Sequence, residues 1–246
     1  MRVAALYDIH GNLPALEAVL DDLRRESVDL VVVGGDVFPG PMSNETLACL
    51  LDLEWPVRFL RGNGDREVLA LAEGETAAFP ESYRQIMNWQ AEQLGAEQRH
   101  HLASWPGCVR LEINGLGDVL FCHATPRSDS EIFTRETPEE RFVDIFREPG
   151  ADLVVCGHTH MQFDRSVGGT RIVNAGSVGM PFDEPGAYWL LLGPGIQPRR
   201  TDYDLTAAAE RIRATPYPRA EEFASSNVLS PPSESSMLDV FTQGEL

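Results

Sequence analysis

Seven side chains of metal-binding type, with Asp65 beside them, stand where five short apolar runs break off: Asp8-x-His10, Gly35-Asp36, Gly62-Asn63-x-Asp65, His123 and Gly157-His158-x-His160. Two Asp, one Asn and four His offer carboxylate, imidazole and neutral oxygen donors. Such a set suits Mn, Fe, Co, Ni or Zn and fits poorly with Mg or Ca, which prefer all-oxygen shells. Two divalent ions about 3.5–4 Å apart can clamp the attacking and leaving oxygens of an in-line displacement at phosphorus, and one carboxylate must then bridge them. Each piece alone is weak, because a Gly-Asp pair is usually a turn. Four of the chain's six histidines fall inside these segments, however, and that concentration makes the combination informative.

In order, the segments resemble the blocks of the calcineurin-like metallophosphoesterases, D-x-H, G-D, G-N-H-[DE], H and G-H-x-H, most closely in the small bacterial and archaeal phosphodiesterase branch. The stretch Asn174-Ala175-Gly176-Ser177-Val178-Gly179 resembles the one that follows them in that family. The resemblance implies that Asp8, His10, Asp36 and His160 hold one metal, and that Asp36, Asn63, His123 and His158 hold the other, with Asp36 as bridge. It implies two divalent transition ions, manganese favoured, and hydrolysis of small phosphodiesters by a metal-bridging hydroxide. Asp36, Asn63 and Asp65 would be the catalytic group, Asp65 orienting a neighbouring ligand. Dinucleoside polyphosphates and phosphoprotein monoesters are alternative substrates. A retromer subunit uses the same fold as an interaction scaffold with its ligands partly lost; here all seven are kept, which favours the enzyme.

The elements that must position these residues are legible as Val, Leu and Ile runs. Val3 to Leu6, Leu30 to Val33, Val57 to Leu60, Val119 to Cys122 and Leu153 to Cys156 each precede a segment, and read as strands buried on both faces. Ligands gather beyond the carboxyl ends of such strands. Asn12, Pro14 and the spacing of Leu13, Leu16, Leu20 and Leu23 predict a helix to about Ser27. Further helices are expected over Ser43 to Leu53, Thr137 to Arg147 and Leu205 to Ala214. Glu81 to Ser104 reads as a helical pair broken near Gly95, a packing appendage with Ile86, Trp89, Leu94 and Leu102 as core, in preference to a pocket wall. Asp118 to Cys122, Leu153 to Cys156, Thr170 to Val173 and Ala187 to Leu192 would make a second set of strands. An α/β/β/α four-layer sandwich of two mixed sheets flanked by helices follows, the resemblance deciding more than periodicity.

The 246 residues, 43% of them apolar, fit one domain over 1–224 carrying the helical insert 81–104. From Ser225 to Leu246 composition turns to Ser, Pro and Glu, with Pro231-Pro232 and no basic residue, which predicts a flexible tail; Met237, Leu238, Val240 and Phe241 could dock as one apolar turn. A net charge of −18 argues against holding long nucleic acids by the general surface. All 20 basic residues are Arg. Cys49, Cys108, Cys122 and Cys156 read as small core residues in a reducing compartment. With a strand from Val3 there is no room for a signal peptide, and no apolar run approaches a membrane span. A cytoplasmic protein is expected, its oligomeric state open, a homo-oligomer included.

Arg66 and Arg127 lie within a few residues of ligands and are candidates for binding phosphate. Where the resembling family has His after the Asn, this chain has Gly64. That leaves the general acid unassigned, a deficit worth about 10²–10⁴ in rate. His100 and His101, in the insert, read as surface residues. Gly64→His would be expected to help poor leaving groups if the side chain fits.

Overall fold

A computed structural model of the chain describes residues 1–76 and 80–243. Two five-stranded sheets pack face to face with helices outside, as a four-layer sandwich. The first sheet runs, edge to edge, through β10 (Ile196–Thr201), β9 (Ala187–Leu192), β1 (Val3–Leu6), β2 (Leu30–Val33) and β3 (Val57–Phe59). The second runs β4 (Cys108–Ile113), β5 (Gly117–Cys122), β6 (Leu153–Cys156), β8 (Thr170–Asn174) and β7 (Phe163–Val167). Within them β1, β2 and β3 are parallel, as are β5, β6 and β8; the other pairings are antiparallel.

Continuous apolar runs work here because both faces of the central strands are covered. Val3, Ala5, Leu30 and Val32 turn toward Val119, Phe121, Leu153 and Val155 in the layer between the sheets. Ala4, Leu6, Val31 and Val33 turn outward, against α1 (Leu13–Leu23), α2 (Ser43–Leu51) and α3 (Asn63–Ala72). The expected helical pair is α4 (Glu81–Gln93) and α5 (Ala96–Ser104), with Leu94 and Leu102 in that outer core. Leu120, Cys122, Val154 and Cys156 turn the other way, under α6 (Val143–Arg147). Asn12 caps α1 through the N–H of Ala15, 3.3 Å.

Several expectations give way. Ala187–Leu192 joins the first sheet, lying antiparallel to β1 with Val3 opposite Leu192. Val57–Phe59 is an edge strand, only partly covered. Asn63-Gly64-Asp65 opens α3, and Thr137 to Arg147 is shortened to a 3₁₀ turn, Glu139–Arg141, and α6. The composition-based flexible tail is helical: after α7 (Leu205–Arg213) and α8 (Ala220–Phe223) come a π-helical stretch, Ala224–Leu229, and α9 (Glu234–Gln243). Val228 joins an apolar cluster and Leu238 is buried, which its Ser and Pro content conceals. Residues 244–246 of that tail lie outside the described residues. Among the described residues no helix is long and apolar enough to cross a membrane.

Candidate metal centre

The carboxyl ends of β1, β2, β3, β5 and β6 bring their following residues to one end of the sandwich. Asp8, His10 and His160 offer donor atoms within 4.8 Å of one another, and so do Asp36, His123 and His158. The loops that carry them turn hard. Asp8, His10, Asp36, His158 and His160 adopt positive φ between 46° and 66°, and among the described residues these are the non-glycine residues that do so. Each such conformation costs about 1–2 kcal/mol and persists only where surroundings impose it. Gly35 shows one such constraint: φ is +91°, and a Cβ there would lie 2.5 Å from Gly62 N and 2.7 Å from His123 Nδ1.

Hydrogen bonds to backbone carbonyls orient three of the four imidazoles. His10 Nδ1 lies 3.2 Å from Pro39 O, His123 Nδ1 2.9 Å from Gly34 O, and His160 Nδ1 2.7 Å from Met180 O. Carbonyl oxygens only accept, so each Nδ1 carries a proton, and each of these rings when neutral turns an Nε2 lone pair inward. Those lone pairs face other acceptors: His10 Nε2 is 3.3 Å from His160 Nε2, and His123 Nε2 is 3.5 Å from Asp36 Oδ2. Both carboxylates are half-used. Asp8 Oδ2 accepts from His158 N at 2.9 Å while its buried Oδ1 has no hydrogen-bond partner, 3.4 Å from His160 Nε2. Asp36 Oδ1 accepts from Gly64 N at 2.8 Å, and its Oδ2 points between His10 Nε2 at 3.7 Å and His123 Nε2 at 3.5 Å.

Inward lone pairs of this kind repel one another unless positive charge stands among them, so the donor set fits divalent cations. Asn63 fits as well. Its amide oxygen points at His123 Nε2, 3.1 Å away, as a cation ligand requires; turned over, its amino group would donate to His123 Nε2 and His158 Nδ1. Electrostatics agree: burial alone disfavours charge on His123, yet Asp36 and Asp8 outweigh it and push the imidazole up to about 10. His158, buried and beside His123, is held down at about 4.

Two buried residues hold the loops. Asp65 accepts from Asp36 N, Phe38 N and Gly62 N at 2.8, 3.0 and 3.0 Å, while burial and then Asp36 push its carboxyl up to about 7. It braces the Asp36 loop and is not among the pocket-lining residues. Ser177, in the stretch whose role was not legible, donates to Asp8 O at 2.7 Å and accepts from Met180 N at 2.7 Å, while Asn174 Nδ2 donates to Gly157 O at 2.6 Å. That stretch ties the first and last ligand loops together.

Neither expected phosphate arginine lines the pocket over the centre. Arg66 grips Asp129 with both prongs, at 2.7 and 3.0 Å, and the exposed Arg127 is paired with Glu131. In an acidic protein these cations are neutralised by nearer carboxylates. His100 and His101 sit on α5, away from that pocket. The pocket itself, about 480 Å³, has His10, Asp36, Asn63, His158 and His160 at its base. Its walls come from Tyr83 and Ile86 on α4 and from Tyr217, Arg219, Phe223 and Asn227. The insert is therefore both packing and wall. Pocket-wall residues at 217–232 carried no sequence signal, since only tertiary packing brings them here.

Residues 1–192 match the calcineurin-like phosphoesterase superfamily domain. An uncharacterized protein of Methanocaldococcus jannaschii is 29% identical over 233 residues, covering 85% of this chain and 91% of that one. Among solved structures, a metallophosphoesterase from Sphaerobacter thermophilus aligns with a TM-score of 0.70 at 26% identity, over 93% of this chain and 99% of the other. A hypothetical protein from Pyrococcus horikoshii aligns with a TM-score of 0.75 at 22% identity, over 94% and 99%.

Proposed function

Because the chain belongs to the calcineurin-like phosphoesterase superfamily, we propose that it hydrolyses small phosphodiesters with two divalent transition metals bound at this centre. Asp8, His10, Asp36 and His160 would hold one ion; Asp36, Asn63, His123 and His158 would hold the other, with Asp36 common to both. When bound, such ions supply Lewis acidity, which activates water near neutral pH and offsets charge on the phosphoryl oxygens. The chain's part is to aim its donors: three backbone carbonyls lock the imidazole tautomers, and Gly64 N and His158 N each occupy one carboxylate oxygen so that the other faces inward. The observation that carries the reading is this convergence of lone pairs on a shared carboxylate.

The imidazole and carboxylate donors suit Mn, Fe, Co, Ni or Zn, and manganese is the ion we favour. The test measures metal content, then hydrolysis of bis(4-nitrophenyl) phosphate and 4-nitrophenyl phosphate with Mn, Co, Ni, Zn and Mg. The native protein should hold two equivalents and prefer the diester. Asp36→Asn should stay folded, lose metal and lose nearly all turnover. A native protein holding a single ion, or preferring the monoester, would refute the proposal, and an Asp36→Asn protein with two tight metals would remove the bridge.

A further inference from the structure

The pocket is much larger than the phosphoryl chemistry needs. A phosphoryl group with two ions displaces roughly what six waters do, at about 30 Å³ each, and the cavity measures about 480 Å³. More than half of it must receive the rest of the substrate. Beside the metal-binding residues the cavity is walled by Tyr217, Arg219, Phe223 and Asn227, outside the matched region 1–192, and by Tyr83 and Ile86 of α4, which pack in one apolar cluster with Tyr217 and Phe223.

This wall is preorganised. Tyr217 is buried with its ring edge-on to Trp89, centroids 5.5 Å apart at 85°, and edge-on to Phe223, 6.2 Å at 89°. These two contacts fix the phenol ring, which is 7% exposed and lines the pocket. Arg219 is held by Glu222, which also borders the cavity, so its guanidinium is presented as a planar, partly neutralised group. Guanidinium planes and aromatic rings both favour flat conjugated partners. Asn227 comes from the π-helical stretch, an irregularity often found at ligand sites, and adds an amide that can bond a ring edge.

We infer that the segment from Tyr217 to Asn227 is the specificity element of this site, and that it receives a planar conjugated ring carried by the part of the phosphodiester that does not leave. The inference rests on the phosphoesterase reading and adds the substrate class to it. An aryl group and a nucleobase share this chemistry.

Three diesters with the same 4-nitrophenolate leaving group test it: the methyl, phenyl and 5′-thymidinyl esters. The native enzyme should favour a ring-bearing ester over the methyl ester by about tenfold or more in kcat/KM, the contribution of one well-packed ring. Preference for phenyl alone identifies an aryl group, and equal or greater preference for thymidinyl identifies a nucleoside. In Tyr217→Leu and Arg219→Gln the ring preference should fall to within about threefold, close to one weak contact. Calorimetric titration of the manganese-loaded protein with phenylphosphonate and methylphosphonate should show the same preference in binding, reduced in both variants. Equal use of the three esters by the native enzyme, or a preference unchanged in both variants, overturns the assignment. Hydrolysis of none of the three would remove the phosphoesterase reading, and the phosphonate titration would then decide the ring assignment by itself.

Discussion

Placing a side chain at position 64 should damage the centre, whatever the chemistry of that side chain. Gly64 is the second residue of α3, where Ala would ordinarily be favoured by up to about 1 kcal/mol. Sterics oppose this. A Cβ at 64 would lie 2.4 Å from Phe38 O, 3.0 Å from Pro39 Cδ and 3.1 Å from Asp36 Oδ1. Real Cβ contacts stay above 3.0 Å, so the Phe38 carbonyl or the start of α3 must retreat by at least 0.6 Å, the gap between 2.4 and 3.0 Å. Overpacking of this kind costs about 1–3 kcal/mol, which exceeds the helix gain. Gly64→Ala should therefore lose about 1–2 kcal/mol net, or about 2–8 °C in Tm for a chain of this size. The retreat also drags the 2.8 Å bond from Gly64 N to Asp36 Oδ1, the bond that aims Asp36 inward. Loss of such support weakens metal affinity by about 10–100-fold. Thermal melts in chelator and competition titrations with manganese measure the two effects separately. A Gly64→Ala protein with native Tm and native metal affinity would refute the reasoning. Gly64→His meets the same backbone oxygen, so the sequence-based expectation that it could restore an acid is withdrawn: it should not rescue poor leaving groups.

Metal binding should release protons near neutral pH. In the metal-free protein His123 titrates at about 10 against 6.5 for a free imidazole, so its stabilising contribution is complete below pH 6.5 and is lost as pH rises through 10. A metal needs the same lone pair, so metal affinity should climb across that window, by about tenfold per unit for one displaced proton; calorimetry in buffers of different ionisation enthalpy reads the release, and zero release contradicts the assignment. Ser177→Ala removes the hydroxyl between Asp8 O and Met180 N and should cost about 1–3 kcal/mol with weaker metal binding, whereas an unchanged melt and affinity would deny the strap its role. A flexible tail, as composition predicts, would be dispensable, and a chain ending at Ala224 tests that. With Asn227 in the pocket wall and Val228 in the core, truncation should raise KM and lower Tm, and native values for both would mean that the composition-based view was right.

The gathering of Asp8, His10 and His160 and of Asp36, His123 and His158 was legible because such chemistry demands particular donors at strand ends, and the strands before them are short, largely apolar runs rich in Val and Leu, as a doubly covered sheet uses. Pairing was less legible. Ala187–Leu192 is as apolar as β6, and nothing in its composition says that its partner is Val3–Leu6 rather than a strand nearer in the chain. Strands β4, β7 and β10 went unread because edge positions leave one face wet: Arg110, Asp164 and Arg199 interrupt them. The tail misled because Pro231-Pro232 and its serines mark disorder statistically, while Leu238 and Phe241 supply enough apolar surface to dock, Phe241 6.2 Å from Phe182, which in turn stacks on His160 at 4.8 Å.

The strand order also bears on how the chain can be made. β1 sits at the middle of its sheet with β2 on one side and β9 on the other, so one of its two backbone edges is satisfied early in synthesis and the other only when residues 187–192 emerge. At roughly 5–20 residues per second, the exposed edge of Val3–Leu6 waits on the order of ten seconds or more on the ribosome, flanked by apolar side chains on both faces. A nascent chain in that state offers a template for any other extended segment nearby. β1 is thus the strand that most needs shielding during translation, and a ribosome stalled before residue 187 should leave a product that associates with chaperones or with itself.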